Sequence, residues 1–245
     1  MDFFEPLFNH SQYSSLLASP LFALTLSLAA FQAGSLCYRL SNQFALFHPT
    51  VLGAVIVALA LKFLDLNFAR YLQGNDLLMF LLGPATVALA VPLFQQLKLM
   101  RGLLMPMAIT VISGAVVASG SAVLIAYWLG ATPETLLSLA PKSITTPIAM
   151  SVAEEIGGLT TLATGAVVLT AVVGICAGPS LYRWMNINDP RIWGFCLGIS
   201  AHGVGTARSF EINATAGAFA SLALCLTGTF SAVMIPIAVS FIRHL

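Results

Sequence analysis

Long apolar runs separated by short polar stretches make up most of this chain. A helix needs about 17–25 mostly apolar residues to cross the hydrocarbon core of a bilayer. We predict seven transmembrane helices, over residues 20–38, 48–64, 77–97, 103–129, 159–181, 192–210 and 214–242. Residues 143–158 are more polar and predict a re-entrant segment. An eighth crossing over 134–157 stays open as the alternative, although it would take Lys142 and three glutamates into lipid.

Composition supports a membrane protein and excludes several other classes. Hydrophobic residues make up 58% of the chain and charged residues 8%, whereas soluble globular chains carry roughly 25% charged residues. We therefore predict an all-α integral membrane protein that lies in a lipid bilayer. The formal net charge of +1 provides no basic surface for a nucleic acid. The cysteines share no ligand spacing and the chain has no nucleotide-binding loop, so we expect no metal, no cofactor and no enzymatic activity.

Three segments interrupt the apolar pattern with residues that disfavour a plain helix. Leu82–Thr86 places Gly83 and Pro84 inside a predicted crossing, where proline removes a backbone hydrogen bond. Residues 145–158 open with Thr-Thr-Pro, and residues 198–208 contain three glycines, a histidine and an arginine. Irregular backbone survives at membrane depth only inside protein or beside a watery cavity. Broken helices of this kind typically build a transporter site near the membrane midplane.

The order of the elements predicts an internal repeat. Residues 48–130 form a helix, a broken helix and a long helix, and residues 145–245 repeat that order from the opposite side of the membrane. We therefore predict an N-terminal segment with the first helix over 1–47, a first helical repeat over 48–130, a connector over 131–144, and a second, inverted repeat over 145–245.

The segment from His202 to Arg208 carries the side chains that best fit an anion site. Arg208 offers a planar fork of donors that suits a carboxylate, and His202 can change charge near neutral pH. Gly203 and Gly205 allow the backbone to unwind and expose its amides, and Thr206 adds a hydroxyl. The alternative is that Arg208 pairs with the acid three residues later and only positions a helix end.

Two further segments complete the predicted substrate site. Thr145 and Thr146 place two hydroxyls before Pro147, which suits the first position of a helix. Pro84 and Thr86 belong to the Gly-Pro break in the first predicted repeat, residues 48–130. We expect the two breaks to meet near the midplane.

Proton coupling and membrane orientation depend on the remaining charged residues. His202, Glu154 and Glu211 are the candidates for proton coupling, and the alternative for the acids is an interfacial position. With seven crossings, most loop lysines and arginines, among them Arg183 and Arg243, lie on one side of the membrane. The positive-inside rule then predicts a cytoplasmic C-terminus.

Several motifs resemble the LrgB/CidB family and follow one another in the family's order. They lie at Leu82–Leu93, Pro141–Met150, Ile156–Gly158, Gly198–Arg208 and Gly217–Ala223. The resemblance extends over about residues 44–240, which is nearly the whole chain.

The resemblance implies two functions. The family is described as holin- or antiholin-like, acting with a small LrgA- or CidA-type membrane protein on murein hydrolase activity and cell lysis. Other members are assigned to transport: the plastid relative is a glycolate/glycerate translocator, and some bacterial pairs are linked to pyruvate. The family is also grouped with inverted-repeat cation/anion transporters.

Transport agrees better with the residues of this chain. A lytic pore needs neither Arg208 nor broken helices. We therefore predict an inner-membrane transporter subunit for small monocarboxylates, working by alternating access. An LrgA-type small membrane protein and further copies of the chain are its expected protein partners, and the holin-like regulator is the alternative.

Overall fold

The structure is a computed structural model that describes residues 17, 19–41, 44, 47–88, 91, 94, 98 and 101–243. The side chains at 82, 83, 85 and 86 lie outside this description. The described residues form helices, turns and short links without any strand, as the sequence predicts. The chain divides into two compact units, residues 1–88 and residues 89–245.

Ten helices occur in the described ranges. The first unit holds α1 (Pro20–Leu40), α2 (Pro49–Phe63), α3 (Phe68–Gly74) and α4 (Asp76–Ala88). The second unit holds α5 (Leu104–Trp128), α6 (Pro133–Leu139), α7 (Thr146–Glu155), α8 (Thr160–Trp184), α9 (Pro190–Ile212) and α10 (Ala214–Arg243).

Capping residues and small residues determine how α1 and α2 begin and pack. The side chain of Ser19 accepts a hydrogen bond from the Phe22 N–H at the start of α1. Helix α2 has Pro49 as its first residue, where the missing N–H of proline costs no helical hydrogen bond. Gly34 of α1 lies against the Pro49 backbone, so these two helices approach closely.

Helix α4 contains the Gly-Pro pair for which the sequence predicts a break. The described backbone continues as helix through Pro84 and ends at Ala88. A membrane helix tolerates proline where neighbouring groups satisfy the freed carbonyl. The described part of the predicted crossing 77–97 therefore contains an unbroken helix.

Four of the helices are long and apolar enough to cross a bilayer, namely α1, α5, α8 and α10. They coincide with four of the seven predicted crossings. Helix α2 is apolar but shorter, with 15 residues. The total number of crossings in the chain stays a prediction.

The long helices of the second unit define its two ends. Arg243, at the end of α10, donates a hydrogen bond of 2.6 Å to the carbonyl oxygen of Ile156, just before α8 begins. Helices α8 and α10 therefore run in opposite directions. We call this end of the unit the Arg243 end, and the opposite end, where α8 finishes and α9 starts, the Arg191 end. Trp128 and Trp184 are exposed at these two ends, where tryptophan typically marks the membrane interface.

Helix α9 does not cross the second unit, because its backbone turns back at His202. This residue adopts φ 48° and ψ −124° between two helical arms. Beyond the turn, Gly205 lies against the backbone of Leu197, eight residues earlier. A straight helix would separate residues eight apart by about 12 Å along its axis. Helix α9 is therefore a helical hairpin with His202 at its tip.

Close backbone contacts show where the two ends of the hairpin lie and how deep its tip extends into the second unit. A Cβ at Gly194 on the entering arm would overlap the Ala216 carbonyl, so α10 starts beside the start of α9. Both ends of α9 therefore lie at the Arg191 end. At the tip, Ala201 packs against Gly174, near the middle of α8. Each arm of about 10–12 residues is about 15–18 Å long, which is half the thickness of a hydrocarbon core.

The base of the hairpin is fixed by Asp189, the N-cap of α9. Its side chain accepts a hydrogen bond of 2.9 Å from the Arg191 N–H and pairs with the Arg191 guanidinium. The side-chain and backbone hydrogen bonds from Arg191 lower the pKa of Asp189 below its ordinary value. Trp193 packs on Tyr182 of α8 with 4.1 Å between ring centroids, which holds the entering arm against α8.

A second re-entrant element enters from the Arg243 end. Ser138 of α6 accepts a hydrogen bond of 2.6 Å from the Leu159 N–H, so the end of α6 lies beside the start of α8. The link that follows leads to the start of α7, where Ile148 packs close to Gly228 near the middle of α10. Helix α7 then returns to Ile156 at the Arg243 end. The structure thus has a re-entrant segment here, as predicted, and not one continuous helix over 134–157.

The predicted crossing over 192–210 is wrong in this structure. The length and apolarity of this segment fit either one crossing helix or two arms of half that length. The turn at His202 divides it into two such arms. The predicted cytoplasmic C-terminus was based on Arg183 and Arg243 sharing one side. In the second unit these residues lie at opposite ends.

The hairpin makes a testable prediction about labelling. Asn188→Cys and Ile212→Cys, at the two ends of α9, should react with a membrane-impermeant maleimide from the same side of the membrane, because both ends lie at the Arg191 end. Glu155→Cys should react from the other side. The measurement uses a chain whose four native cysteines are replaced by alanine, in intact cells and in inverted vesicles. Labelling of residues 188 and 212 from opposite sides would show that α9 crosses the membrane.

The contact between α9 and α10 predicts a stability difference between two identical substitutions. Gly194→Ala should lower the thermal stability of the detergent-solubilised protein by about 1–3 kcal/mol, because the new methyl group overlaps the Ala216 backbone. Gly165→Ala on α8 meets no atom within 4 Å, and helix propensity favours the alanine by about 0.8–1 kcal/mol. Equal melting temperatures for the two variants would contradict the close approach.

Candidate functional site

The two re-entrant elements of the second unit meet at their tips. His202, at the turn of α9, interacts electrostatically with Lys142 and lies beside the backbone of Ser143. Lys142 and Ser143 belong to the link that leads into α7, so the contact joins elements that enter from opposite ends. The link continues into Thr145 and Thr146 at the start of α7. We call these five residues the tip cluster.

His202 is the most unusual residue of the tip cluster. Its side chain is buried, with 3% of the residue exposed, and neither ring nitrogen makes a hydrogen bond of good geometry among the described residues, although the Ser143 backbone lies close to the ring. A buried polar group without a partner costs about 1–3 kcal/mol, and a non-glycine residue at positive φ adds a cost of similar size. Strained and unpaired groups of this kind cluster at ligand sites, where a bound molecule supplies the partner.

Lys142 brings a positive charge to the same place. Its ammonium group lies 3.1 Å from the Ser143 hydroxyl, to which it donates a hydrogen bond. Lys142 makes no ion pair within the described residues of the second unit. Ser143 itself is buried, with 4% exposed. The tip cluster therefore combines one cation, one imidazole and several hydroxyls.

The start of α7 exposes groups that suit an anion. Thr145 is the N-cap residue, but its side chain makes no capping hydrogen bond, so its hydroxyl is available to a ligand. Thr146 lies next to it, is partly buried and is the first residue of α7. Pro147 is therefore the second residue of the helix and not, as the sequence predicts, the first. The first amides of any helix lack intrahelical partners, and together they carry about half a positive charge.

A second helix start faces the same region. The returning arm of α9 begins directly after His202, so its positive end also lies at the tip cluster. The N-terminal ends of two half-length helices thus converge on Lys142 and His202. Helix starts attract carboxylates and phosphates for this reason. The electrostatics of the tip cluster fit an anion.

Gly203, Gly205 and Thr206 follow the turn at His202 and differ in their structural roles. Gly203 is exposed, and a Cβ there would meet no atom within 4 Å, so open space adjoins the tip. Gly205 is buried against Leu197, and its small size is needed for the two arms to touch. Thr206 donates a hydrogen bond of 2.8 Å to the His202 carbonyl. The sequence predicts that glycines break the helix, but the non-helical residue is His202 itself.

The predicted site residues Arg208, Glu211 and Glu154 lie away from the tip cluster. Arg208 and Glu211 form an ion pair on the returning arm of α9. Arg208 is six residues past His202, about 9 Å along a helix. Glu154 is exposed near the far end of α7. The structure does not bring these three side chains together with His202, and their roles stay predictions.

The predicted site residues Pro84 and Thr86 belong to the first unit. Pro84 is exposed within α4, and the side chain of Thr86 lies outside the described residues. The expectation that the Gly-Pro segment meets the His202 segment therefore stays a prediction.

Lys142, Ser143 and Thr227 are candidate site residues that the sequence does not predict. Thr227 is buried on α10 and its hydroxyl has no partner among the described residues; it adjoins Gly228, which packs near the start of α7. A signal is present in the sequence, since Lys142 stands three residues before a Thr-Thr-Pro helix start.

Fold and site together define a class of protein: a multi-pass helical membrane protein in which two opposed re-entrant elements surround a polar cluster. The chain belongs to the LrgB-like family, whose sequence model matches residues 27–241. This confirms the resemblance inferred from the motifs.

Similar proteins extend over most of the chain. YwbG of Bacillus subtilis (strain 168) is 36% identical over 188 residues, which cover 77% of this chain and 83% of that protein. The antiholin-like protein LrgB of Bacillus mycoides (strain KBAB4) is 29% identical over 224 residues, covering 91% of this chain and 97% of that protein. The antiholin-like protein LrgB of Bacillus cereus (strain B4264) shows the same identity and coverage. No solved structure matches the chain.

The backbone of His202 predicts an unusual order of stability among substitutions. His202→Gly should be more stable than His202→Ala by about 1–2 kcal/mol, because only glycine adopts positive φ without a Cβ clash. In a helix interior the order is reversed. Thermal unfolding of both purified variants in detergent measures the difference. A more stable alanine variant would contradict the turn at this residue.

Proposed function

We propose that this chain is the transporting subunit of a carrier for small monocarboxylates, such as glycolate, glycerate or pyruvate. The observation that supports the proposal most is the tip cluster, in which His202 is buried with unpaired ring nitrogens beside Lys142. Two helix N-termini converge on the same place. Half-length helices whose starts converge on a polar site are a known construction of secondary transporters. We propose no enzymatic activity.

In the proposed mechanism the carboxylate binds between the tips of α7 and α9. The amides at the start of α7, the hydroxyls of Thr145 and Thr146, and the open space beside Gly203 receive the anion. Because each re-entrant element covers only about half the membrane thickness, a small movement of either tip exposes the site to one side. Alternating access then needs no large rearrangement of α5, α8 and α10.

His202 and Arg208 take separate roles in this proposal. We assign His202 to the site itself, as a neutral hydrogen-bonding group, and its role in proton coupling stays a prediction. Arg208 lies nearer the Arg191 end, paired with Glu211, and we assign it to anion approach from that side. A carboxylate arriving there competes with Glu211 for the guanidinium.

The alternative function is a regulator of murein hydrolase activity and lysis. The relatives in Bacillus mycoides and Bacillus cereus carry the name antiholin-like protein LrgB, which favours this alternative. A regulator acts through a partner, for which an LrgA-type small membrane protein is our candidate. Under this alternative the tip cluster binds no substrate, and substitutions in it leave partner-dependent lysis unchanged.

The distribution of charge suggests an orientation in the cytoplasmic membrane. Arg101, Arg183 and Arg191 lie at the Arg191 end of the second unit, whereas the Arg243 end carries exposed Glu154 and Glu155 near its single arginine. The positive-inside rule then places the Arg191 end in the cytoplasm. In this orientation the end of α10 lies on the opposite side, which replaces our expectation of a cytoplasmic C-terminus.

His202→Gln should lower monocarboxylate uptake by about 10- to 100-fold, because losing a hydrogen bond to a charged ligand costs about 1.5–3 kcal/mol. The measurement is uptake of radiolabelled pyruvate, glycolate and glycerate into proteoliposomes that contain the purified chain. His48→Gln is the matched control, since His48 is also buried but belongs to the start of α2. Its uptake should stay close to that of the wild type.

Two outcomes would count against transport. If the wild-type proteoliposomes take up none of the three acids, with or without an LrgA-type partner, the chain is not their carrier. If uptake is present and His202→Gln matches the wild type, the site lies elsewhere. A change in lysis of cells that co-express the partner, without any uptake, would favour the regulator.

A further inference from the structure

We propose that Lys142 is the residue that neutralises the negative charge of the bound anion, and that the site therefore prefers one carboxylate to two. The inference rests on the proposed function for its transport consequences, although the binding itself can be measured without transport. Neither the motif analysis nor the family assignment gives Lys142 this role.

The position of Lys142 supports this assignment. It lies on the link between α6 and α7, just before the helix start at Thr145, and it interacts with His202 at the tip of α9. Its single described hydrogen bond goes to the neutral hydroxyl of Ser143. A lysine so placed presents its charge where two helix starts converge.

The helices around Lys142 offer no acid to pair with it. Helix α5 has no charged residue, and the charged residues of α8 and α10 are arginines at the helix ends. The acids of α6 and α7 are Glu134, in the first turn of α6, and the pair at the far end of α7. The one acid of α9, Glu211, is bound to Arg208. Within the described part of the second unit, no carboxylate is available at the depth of the tips.

Arg208 is less suited to the same task. It already pairs with Glu211, and it lies about 9 Å along the returning arm from His202. A cation whose charge is already compensated attracts a second carboxylate more weakly than an uncompensated one. Lys142 therefore replaces Arg208 as the principal anion-binding cation of the site.

The charge balance identifies the class of ligand. The tip cluster supplies one cation that no carboxylate of the described second unit compensates, with hydroxyls from Ser143, Thr145 and Thr146 and the imidazole of His202 around it. One carboxylate balances the lysine, and the hydroxyls can bind the oxygen of a 2-hydroxy or 2-oxo acid. A second carboxylate would enter a membrane-buried site without a counter-charge. The ligand class is accordingly a short monocarboxylate with a neighbouring polar oxygen.

Uptake by proteoliposomes tests the role of Lys142 in transport. Lys142→Gln should lower pyruvate and glycolate uptake by about tenfold or more, while Lys142→Arg keeps the charge and should retain a larger fraction. Lys62→Gln is the matched control, because Lys62 is exposed near the end of α2 in the first unit. Wild-type uptake by Lys142→Gln would overturn the inference and leave the proposed function standing.

A binding measurement decides the inference even if no uptake is found. The melting temperature of the purified chain in detergent is compared in sodium pyruvate, sodium malonate and sodium chloride at equal sodium concentration. Pyruvate should raise the melting temperature of the wild type and of Lys62→Gln more than malonate or chloride does. Lys142→Gln should lose the difference. Equal effects of the three salts on the wild type, or an unchanged pyruvate effect in Lys142→Gln, would overturn the inference.

Discussion

The tight contact between the two arms of α9 is the feature on which the second unit depends. Backbone at membrane depth must be covered by protein, because lipid satisfies neither N–H nor C=O groups. Gly205 lets the returning arm touch the entering arm at Leu197, and Gly194 lets the entering arm touch α10 at Ala216. These glycines allow a helical turn to stop halfway through the unit. The buried position of His202 follows from this packing.

The hairpin has a counterpart that enters from the other end. The link after α6 leads inward, and α7 leads back out, so the two re-entrant elements lie on either side of α8 in the chain. Each element places a helix start in the interior, and both starts carry partial positive charge. An uncompensated lysine at the centre of a bilayer costs about 2.5–3.5 kcal/mol on the insertion scale. Lys142 adds to this positive potential, which is the reason that we propose an anion site at the tips.

Sequence reasoning predicts the long apolar helices and misjudges residues 192–210, for a physical reason. Hydropathy reports how many apolar residues follow one another, which is enough for α5, α8 and α10. It does not report direction, so the stretch 192–210 fits one crossing and two half-length arms equally well. The direction is set by His202 at positive φ and by backbone contacts with residues far along the chain. The start of α7 at Thr145–Pro147 was predictable because the preference of proline for the first turn of a helix is local.

In the candidate site too, features set by neighbouring residues can be predicted from the sequence, whereas features set by contacts between distant residues cannot. His202 could be singled out from its glycine neighbours, and the pairing of Arg208 with Glu211 could be weighed because the two residues are three apart on one helix. The electrostatic interaction of His202 with Lys142 joins positions sixty residues apart, so it depends on the fold and cannot be predicted from local sequence. Within the described second unit, the tip cluster combines positive φ, a buried imidazole without a hydrogen bond of good geometry and a lysine without an ion pair. A protein selected only to pair with a partner would gain stability by replacing each of them. An anion bound between the tips supplies the missing charge and the missing hydrogen bonds at once, which is why we favour transport over regulation.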